Sequence, residues 1–339
     1  MLRALILALI FVLIAFLLLY FWGGHSRRNA GPRASTAIAP PRIADSLWRG
    51  PDSTQIPKTD SGELILYGRN LIAKTSEFFG PVGSIGHGFN GMNCQNCHLE
   101  AGTKPLGNNY GAVFSTYPKY RARRGTEETI VERINDCFSR SLNGKNLDSN
   151  SKEMKAMLAY MRWVGNGVEK TKKPKGTGIA DLPFLDRAAD PEKGRVVFFA
   201  QCKRCHEANG QGSFYPGTLI YKYPPLWGPN SFNTAAGLYR LSRFAGYVKN
   251  NMPDGTNYKK TVLTDEEAWD VAAFVNSQPR PSKVFKEDWP DISKKPFDHP
   301  FGPYADHFSQ KQHKYGPFGP IDRAIKDREK KNAKAPAKK

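Results

Sequence analysis

The sequence predicts a mostly α-helical fold, with two small helical domains of one kind in tandem behind an N-terminal transmembrane helix. Three observations predict it. Cys94-Gln95-Asn96-Cys97-His98 and Cys202-Lys203-Arg204-Cys205-His206 write one pattern, C-x-x-C-H, twice. Around each copy the same order recurs: a helix, the motif, a long loop region and a closing helix. An unbroken apolar run fills Ala4 to Trp22.

C-x-x-C-H is the attachment pattern of c-type haem. Two thiols three positions apart, held on one turn of helix, reach the two vinyl groups of one porphyrin. The histidine that follows lies under the iron as proximal ligand. A single C-x-x-C would also suit a redox dithiol or half a zinc site. The histidine closing both copies argues against those readings and for two covalently bound haem c groups. Helix, motif, loop and closing helix is the order of the cytochrome c fold, so the chain reads as two tandem cytochrome c domains.

The elements follow in order. Residues 1–24 are a membrane anchor or signal. The run from 4 to 22, at about 1.5 Å per residue, extends roughly 28 Å, close to a bilayer's hydrocarbon thickness. Gly23-Gly24-His25-Ser26-Arg27-Arg28 is a poor cleavage site, which favours an uncleaved anchor over a soluble periplasmic form. Residues 25–58, rich in Pro, Ala, Ser and Arg, read as a tether. The first domain spans 59–167. It opens with Leu64, Tyr67, Leu71 and Ile72 on one helical face, and closes with a helix near 150–164 whose N-cap is Asn150, with Glu153 as reciprocal partner. Met154, Met157, Leu158, Met161 and Val164 repeat at helical spacing and read as packing against the opening helix. Residues 168–184, basic and rich in Gly and Pro, form the linker. The second domain spans 185–281. It starts at Asp190-Pro191-Glu192, with Pro at the first helical position. It closes behind the capping box Thr264-Asp265-Glu266-Glu267, and Pro279 and Pro281 stop that helix. Residues 282–339 read as an irregular aromatic strap over the second domain and a basic tail, in which His299 is a solvated loop residue.

Charge and cysteine use set the address. The chain carries 50 Lys+Arg against 31 Asp+Glu, a net charge of +19 over 339 residues. Haem c is attached outside the cytoplasm, which excludes nucleic acid as a partner. It places the body on the periplasmic side of the inner membrane, with anionic substrates or lipids as the remaining reasons for the charge. Ile321 to Lys339 holds eight basic and three acidic residues. That tail reads first as a solvated, disordered end, and second as a contact for anionic headgroups. Of five cysteines, four belong to the motifs, leaving Cys137 unpaired.

The sixth ligands separate the two domains. Met252, in Asn250-Asn251-Met252-Pro253, is the only methionine after the second motif, 46 residues beyond His206. Lys249, Lys259 and Lys260 are its only nearby competitors, and only if deprotonated. No methionine sits in the corresponding loop of the first domain. Cys137 does, 39 residues beyond His98, with Arg133 and Arg140 beside it and Arg121, Arg123 and Arg124 upstream. Positive neighbours draw a thiol toward thiolate, and a thiolate ligand lowers a haem's potential where a methionine raises it.

The two motifs, Arg133 and Cys137 followed by F-S-R-S-L-N-G, and the N-M-P segment at 251–253 together resemble the periplasmic thiosulfate dehydrogenases, dihaem cytochromes that form tetrathionate. The resemblance covers about residues 60–280. It implies His98 with Cys137 on an active-site haem, and His206 with Met252 on an electron-transfer haem. Asn251 stands where some of those proteins carry Lys. The resemblance also implies that two thiosulfates are joined with loss of two electrons. Arg133 and Arg123 would hold the sulfonates, with Arg121 as a further candidate, and Cys137 would take the first thiosulfate as a covalent adduct. A redox partner, soluble or in the membrane, must then take the electrons. Two other readings stay open: a dihaem electron carrier with no substrate, in which Cys137 is a bystander, and a haem subunit of a Sox-type sulfur-oxidation system.

Overall fold

The computed structural model describes residues 47–334. The expected membrane helix over 4–22, most of the tether and the last five residues lie outside the described residues. Among those described, no helix is long and apolar enough to cross a membrane. Both haem-motif domains belong to one compact unit.

The first domain is built on α1 (Asp60–Ala73), α2 (Ile130–Arg140) and α3 (Lys152–Val164). Thr59 caps α1 by accepting from the Gly62 amide. Leu71, Ile72, Met154, Met157, Tyr160, Met161 and Val164 are buried together, so the methionine stripe is core. Close crossing of α1 and α3 depends on Gly68: a Cβ there would stand 2.0 Å from the Ala156 carbonyl oxygen. The cap of α3 is Ser151, whose side chain accepts from the Met154 amide, and not the expected Asn150. Both residue types cap well, and the chain turns into the helix one position later.

The second domain repeats the plan with α4 (Pro191–Val197), α5 (Leu241–Asn251) and α6 (Asp265–Ser277). Asp190 caps α4 with Pro191 in its first turn, and Thr264 with Glu267 forms the capping box of α6. Gly194 plays the part of Gly68: a Cβ there would lie 1.8 Å from the Asp270 carbonyl oxygen. Two short antiparallel hairpins interrupt the loop regions. β1 (Lys119–Arg121) pairs with β2 (Thr126–Glu128) in the first domain, and β3 (Ser213–Phe214) with β4 (Tyr221–Tyr223) in the second.

The linker is bonded to the end of the tether and to the first domain. Lys175 accepts from the Trp48 amide, Gly176 from Leu106 and Gly178 from Asn108. Ile179 and Leu182 then pack on the second core. The strap reaches further than its expected place over the second domain. Asp298 is buried and binds Arg240 and Ser242 of the second domain, while Asp288 takes a bidentate bond from Arg140 of the first, at 2.7 and 2.8 Å. The tail departs from its expectation over Gly319–Lys334, which form α7. Phe318 and Ile321 sink into the second core and hold the helix down, so this part is not a disordered end.

Candidate active site

In the first domain Cys94, Cys97 and His98 line a cavity together with Ile72, Met92, Tyr110 and Met157. In the second, Cys202, Cys205 and His206 line another with Phe232, Leu238, Phe244 and Val271. The first motif opens on a 3-10 helical turn, Cys94–Asn96, and the second ends a π-helical stretch before Lys203–His206. Both turns keep the two thiols of a motif on one cavity wall.

These residues fit covalent haem. The Nδ1–H of His98 donates to the Asn108 carbonyl at 2.5 Å, and that of His206 to the Pro224 carbonyl at 2.9 Å. Each bond fixes the tautomer that leaves Nε2 free for an iron. Burial holds His98 down at about 4 and lowers His206 as well, so both rings are neutral donors. The Tyr110 ring stacks on His98 at 4.7 Å and sets its plane. Burial pushes Cys94, Cys97 and Cys202 up to about 12, surroundings suited to an uncharged thioether and not to a zinc thiolate. No cluster able to hold a bare metal ion occurs among the described residues.

Met252 lines the second cavity at the C-terminus of α5. Lys249 does not line it. Its Nζ is held by the Leu263 carbonyl at 2.7 Å and by Asp265 at 2.9 Å. Asn251 is buried, and its Nδ2 donates to Leu106 of the first domain and to Tyr247.

Cys137 and Arg133 both line the first cavity. They stand one turn apart on α2, a helix fixed by the Thr129–Glu132 capping box and by the burial of Ile134 and Phe138. The Cys137 sulfur, more than any other neighbour, raises the pKa of Arg133, against the opposing effect of burial. Among the described residues Arg133 forms no ion pair, whereas its neighbours do: Arg121 with Glu128 at 3.3 Å, Arg124 with Glu132, and Arg140 with Asp288 and Asp136.

The structure therefore separates the arginines that the sequence grouped. Arg133 faces the Cys137 cavity. Arg121 lies outside that lining, across the hairpin on Glu128, a carboxylate that also accepts from Tyr117. Arg123 lines a neighbouring cavity under the strap, with Asp288, Trp289 and His299. Its backbone carbonyl accepts from the Trp289 amide at 2.7 Å, and its guanidinium lies 5.8 Å from that indole ring. Burial, with Arg140 and Arg133 nearby, lowers its pKa to about 10, and its Nη1 is buried without a hydrogen-bond partner. Asp288 and Asp136 act on that pKa in the opposite direction.

Trp289, Asp288 and the two carbonyls behind the histidines had no signal in the sequence. The carbonyls lie 10 and 18 residues beyond their histidines, so they follow no common spacing. The strap has no periodicity that would aim Trp289 at Arg123.

Comparison with known proteins agrees with this arrangement. Residues 86–169 match the SoxA/TsdA cytochrome c domain, and residues 191–279 match cytochrome c. The thiosulfate dehydrogenase of Allochromatium vinosum is 38% identical over 259 residues, covering 74% of this chain and 89% of that protein. That of Thiomonas intermedia is 35% identical over 255 residues, covering 73% of this chain and 78% of its own. Among solved structures, the thiosulfate dehydrogenase (TsdBA) of Marichromatium purpuratum superposes with a TM-score of 0.64 at 30% identity, covering 70% of this chain and 50% of that one. With two haem c domains, a cysteine facing the first cavity and relatives of this identity and coverage, the chain belongs to the thiosulfate dehydrogenase family.

Proposed function

We propose that this chain oxidises thiosulfate, joining two molecules into tetrathionate, from the periplasmic face of the inner membrane, to which residues 4–22 anchor it. The observation that carries the reading is the pairing of Cys137 with Arg133 on the wall of the first haem cavity, where the guanidinium forms no ion pair among the described residues.

Cys94 and Cys97 would hold the first haem, together with His98 and Cys137 of the same cavity wall. Cys202 and Cys205 would hold the second, with His206 and Met252. When bound, these haems supply one-electron acceptors for the two electrons the reaction releases. The chain's own residues do the rest. Thiosulfate is a dianion, and the planar fork of Arg133 suits its sulfonate, donating two hydrogen bonds. Arg123, in the neighbouring cavity under the strap, is a second cation, with its Nη1 lacking a hydrogen-bond partner among the described residues. The Cys137 thiolate bonds to the sulfane sulfur of the first thiosulfate. Two electrons leave one at a time, and an S-sulfane adduct remains on Cys137. A second thiosulfate attacks that sulfane sulfur, tetrathionate departs, and the Cys137 thiolate is restored. Each step runs backward on the same residues.

Anaerobic addition of thiosulfate to the oxidised, haem-loaded chain tests this. The expected result is reduction of the haem spectrum together with a Cys137 peptide carrying one thiosulfate group by mass spectrometry. Reduction with an unmodified Cys137 at every time point contradicts the covalent route.

A further inference from the structure

The two C-x-x-C-H motifs differ most in the pair of residues between the cysteines. In the first motif these are Gln95 and Asn96, both half-buried and both lining the cavity of the second haem. The Asn96 carbonyl accepts from the Tyr247 hydroxyl of the second domain at 2.7 Å. In the second motif they are Lys203 and Arg204, both exposed. The attachment edge of the first haem site thus faces the second site, and the attachment edge of the second faces solvent.

The surface around that second edge is apolar and cationic. Val196 and Phe199, just before the motif, are 64% and 37% exposed. The Lys203 Nζ lies 5.7 Å from the Phe199 ring. The β3–β4 hairpin continues the surface. Lys222 and Tyr223 line the cavity beside Cys202 and Cys205, while Phe214, Tyr215 and Leu219 at its tip are 43%, 50% and 52% exposed. Val82 of the first domain, 62% exposed, joins the tip. Lys203 and Arg204 are exposed and Lys222 lines the cavity, whose own carboxylates are Glu100 and Asp254, and a chain charge of +19 adds to the cationic side. Exposed apolar clusters with a polar rim mark interaction sites.

We propose that this face, from Val196 to Arg204 with the 213–223 hairpin, is the docking surface for a redox protein that is acidic around its own redox centre and takes electrons from the second haem site. The proposal rests on the reading of the chain as a thiosulfate oxidase, which requires two electrons per tetrathionate to leave, one to each of two one-electron acceptors. The apolar tip supplies contact area for a small, transient interface. Lys203, Arg204 and Lys222 supply complementary charge, which steers encounter and selects an acidic partner.

The test uses the full haem-loaded chain, reduced with dithionite so that thiosulfate chemistry plays no part, and mixed in a stopped-flow instrument with one of two probes. One probe is an acidic single-haem cytochrome c, the other the lysine-rich mitochondrial cytochrome c. The expected result is faster transfer to the acidic probe, falling as salt rises. The Lys203→Glu/Arg204→Glu variant should slow it roughly tenfold or more at low ionic strength. Lys203→Gln/Arg204→Gln should show a smaller loss, guarding against poor haem attachment in the reversed variant. Lys155→Glu, on an exposed position of α3, should change nothing. Equal rates to both probes, or rates to the acidic probe that ignore both salt and the 203/204 variants, would overturn the proposal. Unchanged rates combined with lost binding to anionic phospholipid vesicles would also overturn it, and would assign the face to the membrane. Failure of thiosulfate to reduce the chain would remove the oxidase reading alone, since the docking test does not use thiosulfate.

Discussion

The two haem sites share an attachment motif, a neutral histidine and a backbone carbonyl that fixes its tautomer, and they part at the residue offered as second ligand. The second cavity presents Met252, a thioether on the C-terminus of α5. The first presents Cys137 in mid-helix, with Arg133 one turn before it. A thioether can bind iron but cannot hold a sulfane sulfur covalently. A thiolate can do both, and a cation beside it, without an ion pair among the described residues, can hold the dianion. On the proposed reading, one fold used twice yields one site for chemistry and one for passing electrons on, and the difference rests on a few side chains.

The strongest way to break the comparison is to remove the thiolate. Cys137→Ala should abolish thiosulfate turnover, a fall of at least ~10³-fold in kcat, with both haems still attached by absorbance of the denatured protein. Surviving turnover would make Cys137 a bystander. Next come the arginines, which the structure ranks. Arg133→Ala should lower kcat/KM on the order of a hundredfold, because a buried charge contact with substrate is lost. Arg123→Ala should cost about tenfold. Arg121→Ala should stay within about threefold, since its guanidinium is engaged by Glu128. A steady-state series on the three variants checks the order.

The second site gives the converse test. Met252→Ala should lower the potential of one haem and leave the other unchanged in a redox titration, while Lys249→Ala should change neither. A shift on Lys249→Ala would mean that its bonds to Leu263 and Asp265 do not hold in solution. The smallest effects lie in the shared scaffold. Gly68→Ala and Gly194→Ala each push a methyl group into a backbone carbonyl. Each should cost about 1–3 kcal/mol, seen as a lower melting temperature, with loss of haem signal confined to the domain carrying the change.

What could be read in the sequence was what is local. The attachment motifs, the Thr264 and Asp190 caps, the methionine stripe and the candidate pair Cys137 and Met252 are each set within a few residues, where helix geometry makes spacing meaningful. The single-residue miss at Asn150 has the same origin, since two good capping residues stand side by side. What could not be read depends on residues far apart in the chain. Arg121 is neutralised across a hairpin by Glu128, and nothing in the spacing of Arg121, Arg123 and Arg133 says which of them keeps an unsatisfied charge. The strap joins Asp288 to Arg140, 148 residues away, and lays Trp289 over Arg123. No period in its aromatic and proline residues foretells either contact. The tail looked disordered by composition, yet Phe318 and Ile321 suffice to dock its helix.

The most direct measurement compares Cys137→Met with the unaltered chain. It gives the first site the thioether already offered at the second, keeping a sulfur beside the haem while removing the nucleophile. The account predicts a chain that keeps two low-spin haems, still passes electrons from dithionite to an acceptor protein, and forms no tetrathionate from thiosulfate. Thiosulfate oxidation by Cys137→Met at the unaltered rate would contradict the covalent mechanism and leave two electron-carrying sites.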